Sequence, residues 1–175
     1  MESELLAKIR SIPDFPKKGI VFRDVTTLLK DGRAFARVVE LLYEHYKNER
    51  VGKVASVESR GFIFGAALAY KLRAGFVPMR KPGKLPAETI REEYALEYGK
   101  DSIEVHRDAI VSGERILLLD DLLATGGTMA AACKLVRRLG GTIVGVAFVI
   151  ELSFLGGRKL LDEKNIYTLL HYDSE

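Results

Sequence analysis

The sequence predicts an α/β fold: an open, mainly parallel twisted sheet flanked by helices. From residue 31 onward, strand-like and helix-like segments alternate along the chain. The predicted strands are continuous apolar runs, which is typical of parallel strands covered by helices on both faces. A predicted β-ribbon near residues 89–105 interrupts the alternation, and we interpret it as an inserted flap over a site.

Length and composition are those of one globular domain. The chain has 175 residues, 47% of them hydrophobic and 29% charged, close to the averages for soluble domains. Its single cysteine, Cys133, excludes an internal disulfide and fits a reducing compartment. The longest apolar run, Ile143 to Ile150, is far shorter than the roughly 20 residues that span a bilayer. We therefore expect a soluble, cytoplasmic protein with one core.

The N-terminal third contains two predicted helices and one predicted strand. A short amphipathic helix is predicted over Glu2 to Arg10, and a brief apolar run follows at Ile20 to Phe22. Asp31 is a suitable helix N-cap, and apolar residues at helical spacing continue that helix to about Lys47. The apolar segment Val54 to Val57 then predicts a buried strand.

The middle of the chain predicts a helix, a strand and the ribbon. Small and apolar residues from Gly61 to Lys71 favour a helix that packs closely on a sheet. Phe76 to Met79 is a strand candidate, and its Pro78 lacks a backbone donor, which indicates an edge strand or a bulge. The ribbon comprises Thr89 to Tyr98 and Ser102 to Val105.

The C-terminal third has the clearest pattern. Arg115 to Leu119 is a predicted buried strand, and Thr128 to Leu139 is a predicted helix closed by the Gly140-Gly141 pair. The remaining predicted elements are a long buried strand at Thr142 to Ile150, a short helix at Phe154 to Leu161 and a last strand at Ile166 to His171.

A candidate ligand site lies where the strand ending at Leu119 meets the next helix. In an open α/β sheet, ligands bind beyond the carboxyl ends of the strands. The turn at residues 124–128 would present backbone N–H groups at a helix N-terminus, which favours a phosphate. The acids before it would accept hydrogen bonds from vicinal hydroxyls, so the combination predicts a ribose 5-phosphate. The candidate residues are Asp120, Asp121, Ala124, Thr125, Gly126, Gly127 and Thr128. For the Thr-Gly-Gly-Thr turn by itself, an ordinary helix start remains the alternative.

Positive charge is concentrated in one stretch. The net charge of +3 is too small to indicate nucleic acid. Residues 71–91 hold six Lys and Arg residues and one Glu, which gives +5 and leaves −2 for the rest of the chain. This concentration favours a local anionic ligand, and a solvated surface loop is the alternative. Neither a Walker motif, a Gly-x-Gly-x-x-Gly fingerprint nor a His-Glu-x-x-His or Cys-x-x-Cys metal spacing occurs.

The run from Ile116 to Thr128 resembles the phosphoribosyl pyrophosphate signature of the type I phosphoribosyltransferases. Further segments, in the family's order, narrow the resemblance to the adenine phosphoribosyltransferase family. It covers about residues 13–157 and implies the type I phosphoribosyltransferase fold. The segments are Pro13–Pro16, Gly19–Asp24, Glu58–Phe62, Arg80–Pro86 and Tyr94–Lys100. The implied parts of the single domain 1–175 are a hood at about 1–30, a core at about 31–175 and a flap at about 89–106.

The resemblance also implies roles for individual residues. Glu97 and Arg60 would be catalytic, with Glu97 contacting the purine. Pyrophosphate would be bound by Ser59, Arg60, Arg80 and Lys84, and adenine by Val21, Phe22, Arg23 and Leu155. Without the resemblance, Glu97 would be a solvated ribbon residue. An ordinary core residue is the alternative for Phe22, and Lys81 is expected to be a surface residue.

The implied activity is transfer of a 5-phosphoribosyl group from phosphoribosyl pyrophosphate to adenine, giving AMP and pyrophosphate. Mg²⁺ would be carried mainly by substrate oxygens and water, with no ligand directly from the protein. The expected assembly is a homodimer, because in relatives the residues that Arg80 and Lys84 resemble often act across the dimer interface. Neither nucleic acid nor a membrane is an expected partner. The alternatives are another purine phosphoribosyltransferase and, from a different class, a nucleotide-sensing regulatory protein.

Overall fold

The computed structural model of the chain describes residues 2–95 and 99–174. The helices are α1 (Glu2–Leu6), α2 (Thr26–Leu29), α3 (Gly32–Tyr46), α4 (Arg60–Leu72) and α5 (Gly127–Arg138). The strands are β1 (Arg10–Ile12), β2 (Phe22–Asp24), β3 (Lys53–Val57), β4 (Gly75–Met79), β5 (Thr89–Ala95), β6 (Lys100–His106), β7 (Arg115–Leu123), β8 (Thr142–Leu152) and β9 (Ile166–Tyr172).

The central sheet has five strands in the order β4-β3-β7-β8-β9, and every neighbouring pair is parallel. Successive side chains of β7 enter different cores: Ile116 and Leu118 pack in one, and Leu117 and Leu119 in the other. The first core includes α5 and the second includes α3 and α4. Because both faces of the strand are covered, β7 is apolar at consecutive positions. The predicted fold class is confirmed.

Local sequence signals explain several elements. The Asp31 carboxylate accepts hydrogen bonds from the backbone N–H groups of Arg33 and Ala34, both at 3.1 Å, and caps α3 as predicted. Pro78 lies in β4, which is an edge strand of the sheet, where a missing backbone donor is tolerated. Gly140 closes the region after α5 with φ of +82°.

Three predicted elements were wrong in type or extent. The helix predicted to Arg10 ends at Leu6, and Arg10 lies in β1, where it pairs in register with Asp24 and binds its carboxylate. The strand predicted to end at Leu119 continues to Leu123, because β8 pairs with it along that length. The helix predicted over residues 154–161 is two short 3-10 turns, Ser153–Leu155 and Gly157–Leu160, separated by Gly156 at φ of +67°.

The ribbon of β5 and β6 is antiparallel and lies on α5. Its register runs from Thr89 opposite His106 to Ala95 opposite Lys100. Glu92 fixes the ribbon to α5 through ion pairs with Lys134 at 3.2 Å and Arg138 at 3.1 Å. Within residues 2–95 and 99–174, no helix combines the length and apolarity needed to cross a membrane.

Candidate active site

A cavity of about 340 Å³ opens at the carboxyl ends of β3 and β7. This is the edge at which open parallel sheets bind ligands, because the following loops and helix N-termini meet there. Its lining comes from both strand–helix turns, from the ribbon and from β8. The lining residues are Val57, Glu58, Ser59, Arg60, Lys81, Tyr94, Phe148 and residues 120–129. The structure therefore brings together all seven residues predicted for the ribose 5-phosphate, together with Ser59 and Arg60.

The turn after β7 has the geometry of an anion site. It leads from Ala124 to α5, whose N-cap is Gly126 at φ of +86° with no side-chain capping bond. The first N–H groups of a helix have no partner inside the helix and attract negative charge. A larger residue at position 126 would force the backbone to shift, because an added Cβ would lie 2.5 Å from the carbonyl oxygen of Gly157. Gly157 is thus a neighbour of this turn that the sequence reading did not identify.

Asp120 and Asp121 lie within the last part of β7, at the floor of the cavity. Asp120 Oδ1 accepts the backbone N–H of Asp121 at 2.9 Å, and Asp121 Oδ2 lies 2.6 Å from Arg60 Nε. Burial raises the pKa of the Asp120 carboxyl well above its usual value, and the charge of Asp121 raises it further. Burial also raises the pKa of Asp121, although Arg60 opposes that shift.

The turn between β3 and α4 brings Arg60 to the acids. Gly61 makes the close approach possible, since a Cβ there would lie 2.6 Å from Asp120 Oδ1 and 3.3 Å from the Leu119 carbonyl. The Glu58–Ser59 peptide bond is cis. Arg60 therefore enters the cavity already paired with an acid of the neighbouring strand.

Two predicted cations lie beside the cavity rather than in its lining. The guanidinium of Arg80 and the ammonium of Lys84 both pair with Glu58, at 2.9 and 3.1 Å. Lys81, interpreted from sequence as a surface residue, instead lines the cavity and bonds to Asp101 and, at 2.8 Å, to the Tyr94 hydroxyl. Glu58 and Tyr94 also line the cavity, and the sequence reading gave neither a role.

Comparisons with known proteins agree on one family. A model of the phosphoribosyl transferase domain matches residues 24–172. The chain is 58% identical over 168 residues to the adenine phosphoribosyltransferase of Acidobacterium capsulatum, covering 96% of this chain and 93% of that relative. The crystal structure of the adenine phosphoribosyltransferase of Thermoanaerobacter pseudethanolicus superposes with a TM-score of 0.95 at 52% identity, covering 98% of this chain and 100% of that one. This chain belongs to the adenine phosphoribosyltransferase family.

A further member of the adenine phosphoribosyltransferase family was solved with small molecules bound. The Saccharomyces cerevisiae enzyme, complexed with D-2,5-dideoxy-2,5-imino-altritol 1,6-bisphosphate and adenine, superposes with a TM-score of 0.91 at 38% identity. The match covers 97% of this chain and 98% of the yeast chain. The family shown by these comparisons is therefore the one that the sequence motifs resemble.

The residues assigned to adenine by the family resemblance lie outside the cavity lining. Phe22 contacts one lining residue, because its ring centroid lies 5.3 Å from the Arg60 guanidinium carbon. Arg23 lies over the Tyr172 ring at 4.0 Å, while Val21 is half-buried and Leu155 is exposed. The fifth residue of the purine prediction, Glu97, lies outside the described residues. The roles of these residues stay predictions.

Proposed function

We propose that this chain transfers the 5-phosphoribosyl group of phosphoribosyl pyrophosphate to N9 of adenine, forming AMP and pyrophosphate. The observation that carries the proposal is one cavity that joins an acid pair, the N-terminus of α5 and Arg60. Adenine and a bisphosphate bound to the yeast relative agree with it. The reaction belongs to purine salvage, since it converts a preformed base into a nucleotide.

The first task is to hold the ribose 5-phosphate. The backbone N–H groups of residues 124–128 receive the phosphate, assisted by the hydroxyls of Thr125 and Thr128. The carboxylates of Asp120 and Asp121 accept hydrogen bonds from the two ribose hydroxyls. Fixing both ends of the sugar places the anomeric carbon at a defined position in the cavity.

The second task is to stabilise the departing diphosphate. The bond between the anomeric carbon and oxygen breaks, its electron pair leaves with the diphosphate, and the sugar passes through an oxocarbenium-like state. Arg60 uses its Nε–H on Asp121 and has four further N–H donors for the developing charge. Ser59, Arg80 and Lys84 complete the diphosphate site.

The third task is to supply the base. The N9 lone pair of adenine forms the new bond, and the imidazole ring of the base loses its proton. Val21, Phe22, Arg23 and Leu155 are proposed to position the base, and Glu97 to contact its N7 side and receive the proton. The β5–β6 ribbon, through Tyr94, covers the cavity and limits access of water.

Mg²⁺ is the proposed cofactor. The arrangement of acids in the site is consistent with an ion that is held by substrate oxygens and water. Among the described residues, no group of three or more His, Cys, Asp or Glu side chains is arranged to hold a metal. Asp121 is already paired with Arg60, which makes it a poor direct ligand. Oxygens of the diphosphate and of water would hold the ion, which when bound neutralises part of the charge on the leaving group.

A base-specificity panel tests the proposed reaction. We expect the purified protein with phosphoribosyl pyrophosphate, Mg²⁺ and radiolabelled adenine to form labelled AMP, and hypoxanthine and guanine to compete poorly. Equal or faster turnover of hypoxanthine or guanine would instead assign another purine phosphoribosyltransferase activity. Absence of turnover with specific retention of RNA or DNA in a filter-binding assay would support the regulatory alternative.

We also propose a homodimer in the cytoplasm. The outward face of α4 is apolar at Ile63, Ala66, Ala67 and Tyr70, and Tyr70 is 88% exposed. A second copy of this chain is the proposed occupant, since positions three, four and seven apart form one continuous helix face. The buried thiol of Cys133 fits a reducing compartment.

A further inference from the structure

We propose that Glu58 is a positioning residue for the diphosphate: its buried carboxylate gathers Arg80 and Lys84 beside Ser59 and Arg60. This inference rests on the proposed function, because it concerns the same diphosphate site. It assigns a role to a residue that neither the motif reading nor the family comparisons explain.

The contacts of the Glu58 carboxylate all come from one short segment. Its side chain is 8% exposed, and Oε2 accepts a hydrogen bond from Arg80 Nε at 3.0 Å and lies 2.9 Å from Arg80 Nη2. Oε1 accepts the backbone N–H of Lys81 at 2.7 Å and lies 3.1 Å from Lys84 Nζ. A carboxylate has about four lone-pair positions. Both oxygens of the Glu58 carboxylate are therefore engaged by residues 80–84.

The segment at residues 80–84 needs such an anchor. Arg80, Lys81 and Lys84 place three cations within five residues, and the segment turns through Gly83 at φ of +77°. Like charges at this spacing repel one another, which would spread the segment in solution. On its other side, the Glu104 carboxylate accepts the Gly83 N–H at 3.1 Å. The backbone of Arg80 is also bridged to that of Glu104, and Lys81 pairs with Asp101. Glu58 is therefore the side chain that ties Arg80 and Lys84 to the end of β3.

The charge balance leaves the cations able to bind an anion. A lone buried carboxylate in the cavity lining would repel a diphosphate, but Glu58, Arg80 and Lys84 together sum to +1. The side chains of Arg80 and Lys84 remain 34% and 51% exposed. Burial raises the pKa of Glu58, yet its three partners outweigh that effect and leave the pKa below its usual value. The carboxylate is thus charged at neutral pH.

The contrasting interpretation makes Glu58 a competitor that occupies the cations until the diphosphate displaces it. The two interpretations predict opposite changes in diphosphate affinity when Glu58 is neutralised. A positioning residue, when neutralised, weakens diphosphate binding because the cations disperse. A competitor, when neutralised, strengthens binding because the cations are released to the ligand.

The test compares Glu58→Gln with wild type. We expect KM for phosphoribosyl pyrophosphate and the calorimetric Kd for inorganic pyrophosphate to rise about tenfold or more, because catalytic contacts displaced by about 1 Å lose up to about a hundredfold. KM for adenine should change less than about twofold. Glu58→Asp, which keeps the charge, should restore most of the affinity. Glu114→Gln is the matched control, since Glu114 likewise accepts a backbone N–H and a lysine ammonium, near the start of β7.

A double-mutant cycle keeps the test decisive. Lys84→Met should raise KM for phosphoribosyl pyrophosphate in the wild-type background and add little in Glu58→Gln, because both changes remove the same cation from the site. The proposal would be overturned if the two substitutions had fully additive effects, or if Glu58→Gln bound pyrophosphate as tightly as wild type or more tightly. It would also be overturned if Glu58→Gln failed to fold while Glu58→Asp bound pyrophosphate with normal affinity. A wild-type chain that forms no AMP would refute the proposed function instead.

Discussion

Two adjacent carboxylates at the end of β7 lower the stability of the chain that contains them. Asp121 is 5% exposed and Asp120 is half-buried, and desolvation together with the charge of Asp121 raises the pKa of Asp120 well above its usual value. Arg60 offsets part of this cost at both acids, and more directly at Asp121, with which it forms an ion pair. Sites that must bind polar ligands commonly retain such unfavourable groups, since the ligand completes their hydrogen bonds.

Neutralising Asp120 should therefore stabilise the protein. A carboxyl whose pKa is raised on folding holds its proton more tightly when folded, so stability falls as pH rises from about 4 through the folded pKa. We expect Asp120→Asn to raise Tm at pH 8 by about 2–4 °C, equivalent to about 1 kcal/mol in a chain of this size. The Asn Oδ1 can still accept the Asp121 N–H. The measurement is thermal unfolding of both proteins from pH 4 to pH 8.

The pH dependence separates this effect from general repacking. The difference in Tm between Asp120→Asn and wild type should be small at pH 4 and grow toward pH 8. A constant difference would show that the carboxyl charge is not its cause. The same variant should bind phosphoribosyl pyrophosphate more weakly, because it loses a charged acceptor for the ribose hydroxyls.

At the scale of elements, a 3-10 turn supports the phosphate loop. A Cβ on Gly157 would overlap the carbonyl oxygen of Ala124, so the two backbones touch. The next residue, Arg158, donates to Glu151 at 2.9 Å and to Thr168 at 3.1 Å, and Glu151 is buried at the end of β8. The ion pair therefore fixes the turn to the sheet, and the turn fixes the loop.

A methyl group at this contact should damage the loop. We expect Gly157→Ala to lower stability by about 1–3 kcal/mol through overpacking and to raise KM for phosphoribosyl pyrophosphate, because Ala124 must move. Gly156→Ala is the matched control. Its Cβ would meet only the Lys159 side chain at 3.7 Å, so its effect should be limited to the strain of φ at +67°. Unfolding in urea and steady-state kinetics on both variants measure the effects. If Gly157→Ala and Gly156→Ala had equal KM values for phosphoribosyl pyrophosphate, the turn would not support the phosphate loop.

Sequence patterns predicted the elements whose signals are local. The Asp31 cap, the apolar runs of β3 and β8 and the Pro78 edge strand all depend on neighbouring residues or on general burial. Arg10 was assigned to a helix because its partner, Asp24, is fourteen positions away and invisible to periodicity. The hydrogen bond from Arg10 is the largest cause that lowers the pKa of Asp24 to about 2, and it outweighs burial, which would raise that pKa.

For the site too, the sequence predicted the residues that form a contiguous motif and not those that depend on distant contacts. The acids and the glycine turn follow one another in sequence, so their motif is readable, and the cavity contains them all. Glu58, Lys81 and Gly157 acquire their contacts only through tertiary packing, with partners from other elements. Residues whose importance lies in a distant partner were therefore the ones that sequence reading left without a role.

For the whole molecule, the clustered positive charge is compensated rather than exposed as one surface. Five of the six cations of residues 71–91 pair with acids from three other segments. Lys71 pairs with Glu40, Arg80 and Lys84 pair with Glu58, and Lys81 and Arg91 pair with Asp101 and Glu104 of β6. A polyanion would have to break these pairs to bind. The arrangement favours a small anion at one edge of the sheet, in agreement with the proposed substrate.

The remaining feature at this scale is the apolar outward face of α4. Tyr70 is 88% and Ile63 43% exposed on a helix whose opposite face supplies Phe64 and Leu68 to the core. We expect the chain to elute with about twice its 19.5 kDa mass in light-scattering chromatography. Tyr70→Glu should weaken the dimer by about 2 kcal/mol or more, which is about thirtyfold in Kd, because it would bury a charge at the centre of the interface.

Val111→Glu provides the comparison, since Val111 is an exposed apolar residue, 67% exposed, in the loop before β7 rather than on α4. It should leave the mass unchanged at every concentration at which Tyr70→Glu dissociates. A wild-type chain that is monomeric, or a Tyr70→Glu variant that stays dimeric, would remove α4 as the interface. Because α4 begins at Arg60, a dimer through this helix would also place each copy close to the other's diphosphate site. Loss of AMP formation in parallel with dissociation would then show that the two cavities depend on the pairing.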